Sequence, residues 1–549
     1  MGESAEVGTG VLAPASPVPG DPPRKECHSA RRLWLSLAGL LVVASITGYR
    51  LHAATRARFP GHADPAFYYS VARNLHGGRG ASIDYVWQFL APTKDVSHYA
   101  FDYWLPLPSL LMSVALFFDN SLTAAIDVSV MLTAVFAVAT YLLAWRLTRS
   151  WWIPTISAVM VATLPLVSLY SVRTESSMSL AAFVTLAFAV ALGARQRPVQ
   201  WVGAGVLTGL AGLARNDGLW LIAAMVVAVV AWNHGRDRIR RLALLLGGYA
   251  IVMAPFVAIN VMHFGAPLPP SAAKFPYVVH YQQIYSLNVP HSTSILFSHR
   301  LWLARLHFFP YEWRVAEAEL RRGVAVTLAV LVGLAILLAI VRARSVRLTI
   351  ASSWLLPITY CFLVLVFDAL ANPIVAAAGA VDKTMVSMTP VAIIGGLQCG
   401  RTIFSRIPLV GAAGVVALAI APALTLTART DQTITHDNRI GSAAARLGPA
   451  LAAERLDLGG RELVLMSGQP WEIAEATGLR VVQVPYASRC AILRTALKYH
   501  VTDIRTDGGT RSLRSLERFA GEGGPLKRVT TAGRFHIYRV VGPPGPACL

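Results

Sequence analysis

The chain has 549 residues, of which 55% are hydrophobic and only 14% charged, and its mean hydropathy is +0.52; no ordinary soluble domain has that composition. Lysine and arginine total 49 against 29 acidic residues. The basic residues fall in short groups between apolar runs and not in a stripe beside stacking aromatics, which excludes nucleic acid as a partner and points to a lipid bilayer.

Residues 1–32 are rich in Pro and Gly and read as a disordered cytoplasmic tail rather than a cleavable leader. Residues 33–426 form the transmembrane part. Apolar runs near the ~20 residues needed to cross a bilayer occur at 33–49, 122–145, 152–170, 176–194, 199–214, 217–232, 242–262, 323–341, 348–368, 385–400 and 408–426. With the N-terminus in the cytoplasm, every inside link is basic. These links carry Arg146 and Arg149, Arg195 and Arg197, the group Arg236 to Arg241, the group Arg342 to Arg347, and Arg401 with Arg406. The expectation is an α-helical multispanning membrane protein of about eleven transmembrane helices, the pair around Asn216 being short enough for a broken hairpin.

This orientation places three polar stretches outside: residues 50–121, 263–322 and everything from 427 on. In the first, Asp64 followed by Pro65 predicts a helix start, and Phe67, Tyr68, Val71, Ala72 and Leu75 share one face until Gly77 and Gly78 end it. An interfacial amphipathic helix capped by Asp64 is the simple reading. The same loop also holds Asp84, Asp95, His98 and Asp102, followed by a second interfacial helix within "YWLPLPSLLMSVALFF". Glu175, in "RTESS", occupies the second outer turn, and "HFGAPLPPSAAKFPY" brings Lys274 at the third. A carboxylate at such a face can deprotonate a hydroxyl, and a lysine can hold a phosphate leaving group as a point charge.

Other groups carry less. The histidines of the third loop (His263, His280, His291, His299, His307) lack the spacing of a zinc site, so no metal is assigned. Arg215, Asn216 and Asp217 either satisfy their own charges in a turn or line a carrier site. Asp368, Asn372 and Asp382 flank a late outer loop that could cover an acceptor cleft.

Residues 427–549 change character. Short β-rich runs at 462–467, 480–484 and 501–505 alternate with helical periodicity at 470–477 and 488–500, and "RFHIYRV" supplies another strand. This reads as a small C-terminal extracytoplasmic α/β domain with no nucleotide-binding loop and no paired carboxylates, hence structural or acceptor-binding. Cys490 and Cys548 both fall in it and could pair.

The order of "HADPAFYYSVARNLHGGRG", the Arg-Thr-Glu turn, "GVLTGLAGLARNDG", "FGAPLPPSAAK" and the C-terminal "SGQPWEIAEATGLRVVQVPYA" resembles the C-type glycosyltransferases over nearly the whole chain beyond the tail. The resemblance implies a bacterial plasma-membrane enzyme of the mannosyl- or arabinofuranosyltransferase kind. It would move a sugar from a polyprenyl-phosphate donor to a glycan, glycolipid or protein acceptor on the outer face, with inversion. Asp64 would be the catalytic base, and Lys274 and Lys383 (in "VDKTMVSMTP") would face the donor phosphate. Glu175, Tyr68, Arg73 and Asp102 would support them. No cofactor is required; a divalent cation stays open, since relatives often carry a second acid beside the first, where this chain has Ala63 and Pro65. The competing expectation is a transporter or flippase of lipid-linked sugars, which should instead place ionisable or broken segments at mid-membrane in related halves.

Overall fold

The computed structural model describes residues 24–278 apart from 92, and 281–289, 298–299, 302–303, 349–371, 381–404, 408–457, 462–506, 516, 524–532 and 535–542. The expected span at 323–341, along with His280, His291, His307, Asn372 and Cys548, lies outside them.

The bundle starts with α1 (Arg24–Ala54), followed by the short helices α2 (Asp64–His76) and α3 (Leu107–Leu116). Next come α4 (Leu122–Thr148), α5 (Ile153–Thr163), α6 (Pro165–Ser171), α7 (Ser177–Ala194), α8 (Gln200–Ala214), α9 (Trp220–Trp232) and α10 (Gly235–Phe264). Then follow α11 (Pro270–Lys274), α12 (Thr349–Ala371), α13 (Val381–Phe404) and α14 (Pro408–Ala445). Among the described residues, four helices are long and apolar enough to cross a membrane, or five if α5 and α6, bent by 59°, make one span. Four further apolar stretches of 10–17 residues are found there, Leu107–Leu116, Gln200–Ala214, Asn216–Trp232 and Ser353–Val366.

Local chemistry sets the boundaries. Ser121 opens α4 by accepting a hydrogen bond from the Ala124 amide at 3.2 Å. Pro165 breaks the run between α5 and α6, because a proline inside a helix removes a donor and clashes with the preceding turn. The helices α8 and α10 cross in backbone contact. A Cβ on Gly205 would fall 2.1 Å from the Leu245 carbonyl oxygen, and one on Gly248 would fall 2.3 Å from that of Val202. Where lipid competes for apolar surface, such close approach replaces the hydrophobic drive that packs helices in water.

The C-terminal part contains β4 (Val464–Ser467), β5 (Arg480–Gln483), β6 (Asp503–Thr506), β7 (Leu526–Ala532) and β8 (Phe535–Val540), with α15 (Gly448–Asp457), α16 (Pro470–Thr477) and α17 (Arg489–Lys498). The segment between α2 and α3 contributes three short strands, β1 (Ser82–Ile83), β2 (Tyr85–Val86) and β3 (His98–Tyr99). The six-stranded sheet runs β2-β5-β4-β6-β8-β7. Its edge strand β2 comes from the first loop and pairs in parallel with β5, Tyr85 opposite Val481. Alternation divides the buried residues between two faces. Leu465, Val481 and Ile537 share one apolar core with the bundle, while Val464, Met466, Val482 and Ile504 pack with Ile492 and Leu493 of α17. Cys490 is disulfide-bonded.

Candidate functional site

The start of α2 differs from a simple capped helix. Ala63 stands at the cap position with φ 46° and ψ −102°, and no side chain caps the helix. A non-glycine residue there costs on the order of 1–3 kcal/mol, and such strain tends to be kept where geometry serves a site. Thr174, in the turn between α6 and α7, fixes the helix start by donating its hydroxyl to the Pro65 carbonyl at 2.7 Å. Instead of capping, the Asp64 carboxylate accepts from Lys383 Nζ at 2.6 Å. The helix is also enclosed rather than lying on the membrane surface: Pro65, Ala66, Phe67, Tyr68, Ser70, Val71, Ala72 and Asn74 are all buried. Its polar side is covered by the C-terminal part.

Lys383 stands in the first turn of α13, just ahead of an apolar run. Its ammonium lies between Asp64 and Glu175, the latter at 2.8 Å. Glu175 has only 1% of its side chain exposed, against 18% for Asp64 and 16% for Lys383. The buried acid therefore anchors the lysine, while Asp64 and Lys383 form the accessible edge. Burial disfavours the ammonium, but the charge of Asp64 and then that of Glu175 outweigh it, and the Lys383 pKa is raised. Tyr68, one turn along α2 from Asp64, is 1% exposed. Burial and then the charge of Asp64 raise its pKa and keep the hydroxyl protonated.

The turn at Arg215 joins the same cluster. Arg215 Nε donates to Asp217 at 2.6 Å, and the hydroxyl of Thr384, next to Lys383, donates to the same carboxylate at 2.6 Å. The two readings of this turn therefore merge: the charges satisfy one another and also tie the α8–α9 break to the residue beside Lys383. The charge of Asp64 also acts on Arg215. On the other flank, Arg173 makes two hydrogen bonds to Asp437 of α14, at 2.8 and 2.7 Å.

The other expected residues take different positions. Arg73 pairs with Glu475 of α16 at 2.9 Å, and Ser70 donates to the same carboxylate, so Arg73 fastens α2 to the C-terminal part. His62, two residues before Asp64, contacts Glu472 at 2.6 Å and meets the Trp471 ring edge-on at 5.3 Å. Asp102 forms a separate cluster: Gln88 Nε2 donates to its Oδ2 at 2.6 Å and the Ser271 hydroxyl donates to the same atom at 3.2 Å. The proline-rich turn thus reaches the first loop through Ser271. Lys274, half-buried at the end of α11, makes no ion pair or hydrogen bond among the described residues. The ties through Arg173, Thr384 and Glu475 bridge residues far apart in the chain and leave no local sequence signal.

Burial pushes the Asp102 carboxyl up to about 7. Its Oδ1 is buried with no partner among the described residues, as a protonated acid can be. Folding therefore holds a proton that the unfolded chain has released above its ordinary pKa of 3.8, and stability should fall as pH rises from about 4 to about 7. Asp102→Asn should flatten that slope and melt no lower than the parent at pH 8, which thermal unfolding across pH would check.

No curated protein matches the chain in sequence. Residues 106–261, which include Glu175, Arg215 and Asp217 but neither Asp64 nor Lys383, match the family described as dolichyl-phosphate-mannose-protein mannosyltransferase. In fold, the chain is similar to the oligosaccharyltransferase of Archaeoglobus fulgidus in its apo form, with TM-score 0.56 and 13% identity over 87% of this chain and 69% of that one. It is also similar to ArnT from Cupriavidus metallidurans bound to undecaprenyl phosphate, with TM-score 0.56 and 13% identity over 92% and 98%. The chain thus shares the fold of these two solved structures, and its residues 106–261 match the dolichyl-phosphate-mannose-protein mannosyltransferase family.

Proposed function

We propose that this protein is an integral-membrane glycosyltransferase that moves a sugar from a polyprenyl-phosphate donor to a hydroxyl of a cell-envelope acceptor, with inversion, on the outer face of a bacterial plasma membrane. The observation that carries the reading is the Lys383 ammonium held between the partly accessible Asp64 and the buried Glu175. The fold it shares with the undecaprenyl-phosphate complex of ArnT supports the class of donor.

At rest Asp64 and Lys383 satisfy each other. A donor phosphate draws Lys383 toward itself, which frees an oxygen of Asp64 to accept the acceptor hydroxyl proton. The acceptor's deprotonated oxygen then attacks the anomeric carbon, the bond from that carbon to the phosphate oxygen breaks, the proton stays on Asp64, and the lipid phosphate leaves with the electron pair. Lys383 stabilises the anion, and Arg215 lies close behind. Asp64, Glu175 and Asp217 outnumber Lys383 and Arg215 by one charge, so the donor phosphate needs a further cation. Lys274, without an ion pair among the described residues and placed at the same outer face by the sequence pattern, is assigned that part. In the structure the point on which the Asp64 and Glu175 carboxylates converge is taken by the Lys383 ammonium; no step is routed through metal.

The test is to reconstitute the full chain with polyprenyl-phosphate sugars carrying a labelled sugar and with envelope glycan acceptors. Transfer should liberate polyprenyl phosphate and attach the label to acceptor. Movement of intact lipid-linked sugar across the bilayer, with no bond broken, would make the protein a transporter instead.

A further inference from the structure

The helices that carry the site also define the opposite end of the bundle. The 18 residues of α7 run from beside Glu175 to Ala194, about 27 Å at 1.5 Å per residue, and α8 returns to Arg215. At the far end, between the end of α4, the α7–α8 link and the start of α12, lies a cavity of about 770 Å³. Arg146, Arg149, Arg195 and Arg197 line it with Trp145 and Gln200, and no carboxylate among the described residues does. This is the end that the positive-inside pattern assigns to the cytoplasm. That pattern accounts for arginines in the links, but not for four of them facing one cavity without an acid among them.

The surroundings are arranged for these side chains. A Cβ on Gly193 would fall 1.6 Å from Nη1 of Arg146, so a larger residue there would displace this guanidinium from its position. Arg149 ends α4 in the left-handed conformation, φ 50°. Arg195 donates to Ser353 at 3.3 Å and lies over the Trp232 ring at 4.9 Å. The guanidinium of Arg241 donates to the Arg195 carbonyl at 3.0 Å. Arg195 is thereby held in the wall, while Arg146, Arg149 and Arg197 are exposed. Guanidinium forks match phosphate oxygens two at a time. The neighbouring Trp151, 47% exposed, and Trp145 mark the level of lipid headgroups.

We propose that this cavity is a binding site for a phosphate group, supplied by an anionic phospholipid of the adjoining leaflet, and that it is separate from the donor site at Lys383. The proposal does not depend on the proposed transfer reaction.

The full chain is placed in nanodiscs of phosphatidylcholine with or without phosphatidylglycerol, and retained lipid is read by native mass spectrometry. Wild type should retain phosphatidylglycerol over phosphatidylcholine, and the triple variant R146Q/R149Q/R197Q should lose that selectivity by at least about tenfold, since each basic residue near a membrane surface contributes severalfold. Gly193→Val, which displaces Arg146 without removing charge, should weaken it in the same direction. The pair R236Q/R240Q, which removes basic charge near the same membrane surface but outside the cavity, should weaken it far less than the triple variant does. In phosphatidylcholine discs, a rise in melting temperature with inorganic phosphate that the triple variant loses would assign the site to a free anion of the same chemistry. Equal lipid selectivity in wild type and triple variant together with no phosphate response, or equal loss in the R236Q/R240Q control, overturns the proposal.

Discussion

Asp64→Asn is expected to lower sugar transfer by on the order of 10²–10⁴-fold, the contribution of a positioned general base, while the protein still inserts and folds. The amide keeps the size of the side chain and can still accept from Lys383, and Glu175 remains at 2.8 Å to hold the ammonium. The stability loss should be about 1–3 kcal/mol, that of one charge-assisted hydrogen bond. That is too little to remove activity by unfolding a packed bundle. Parallel measurement of transfer rate and thermal unfolding separates the two effects. A variant that transfers at the parental rate would remove Asp64 from the chemistry and leave it a structural partner of Lys383.

Lys383→Met should have the larger structural effect. Asp64 and Glu175 converge on one ammonium, at 2.6 and 2.8 Å; without it two carboxylates face each other, one of them 1% exposed. Leaving a buried charge unpaired costs about 3–5 kcal/mol, so a marked drop in melting temperature is expected together with loss of transfer. Adding Glu175→Gln removes the surplus charge and should restore much of the stability, giving a favourable coupling in a double-mutant cycle. If Lys383 holds the leaving phosphate, the stabilised double variant stays inactive. Transfer recovered along with the melting temperature would reduce Lys383 to a structural counter-ion.

Sequence patterns by themselves determined the membrane class, because mean hydropathy and the length of apolar runs are sums over neighbours in the chain. They also determined most of the C-terminal elements: the runs at 462–467, 480–484 and 501–505 and the helical stretches at 470–477 and 488–500 coincide with strands and helices to within a few residues. Strand alternation and helical periodicity are local, so a single sequence displays them. The resemblance named Asp64, Glu175 and Lys383, but nothing local shows that residues 64, 175 and 383 share one ion-pair cluster.

Only the tertiary structure decided the rest. Residues 85–86, two positions too short to read as a strand, become the edge of the C-terminal sheet because β5 offers unpaired backbone groups. Arg73 lies on an exposed-looking helix face until α16 brings Glu475 to it. Asp102 pairs with Gln88 and Ser271 rather than joining Asp64. In each case the deciding contact bridges segments whose meeting depends on how the whole bundle packs, and a burial penalty large enough to select one partner exists only once that packing has removed the water.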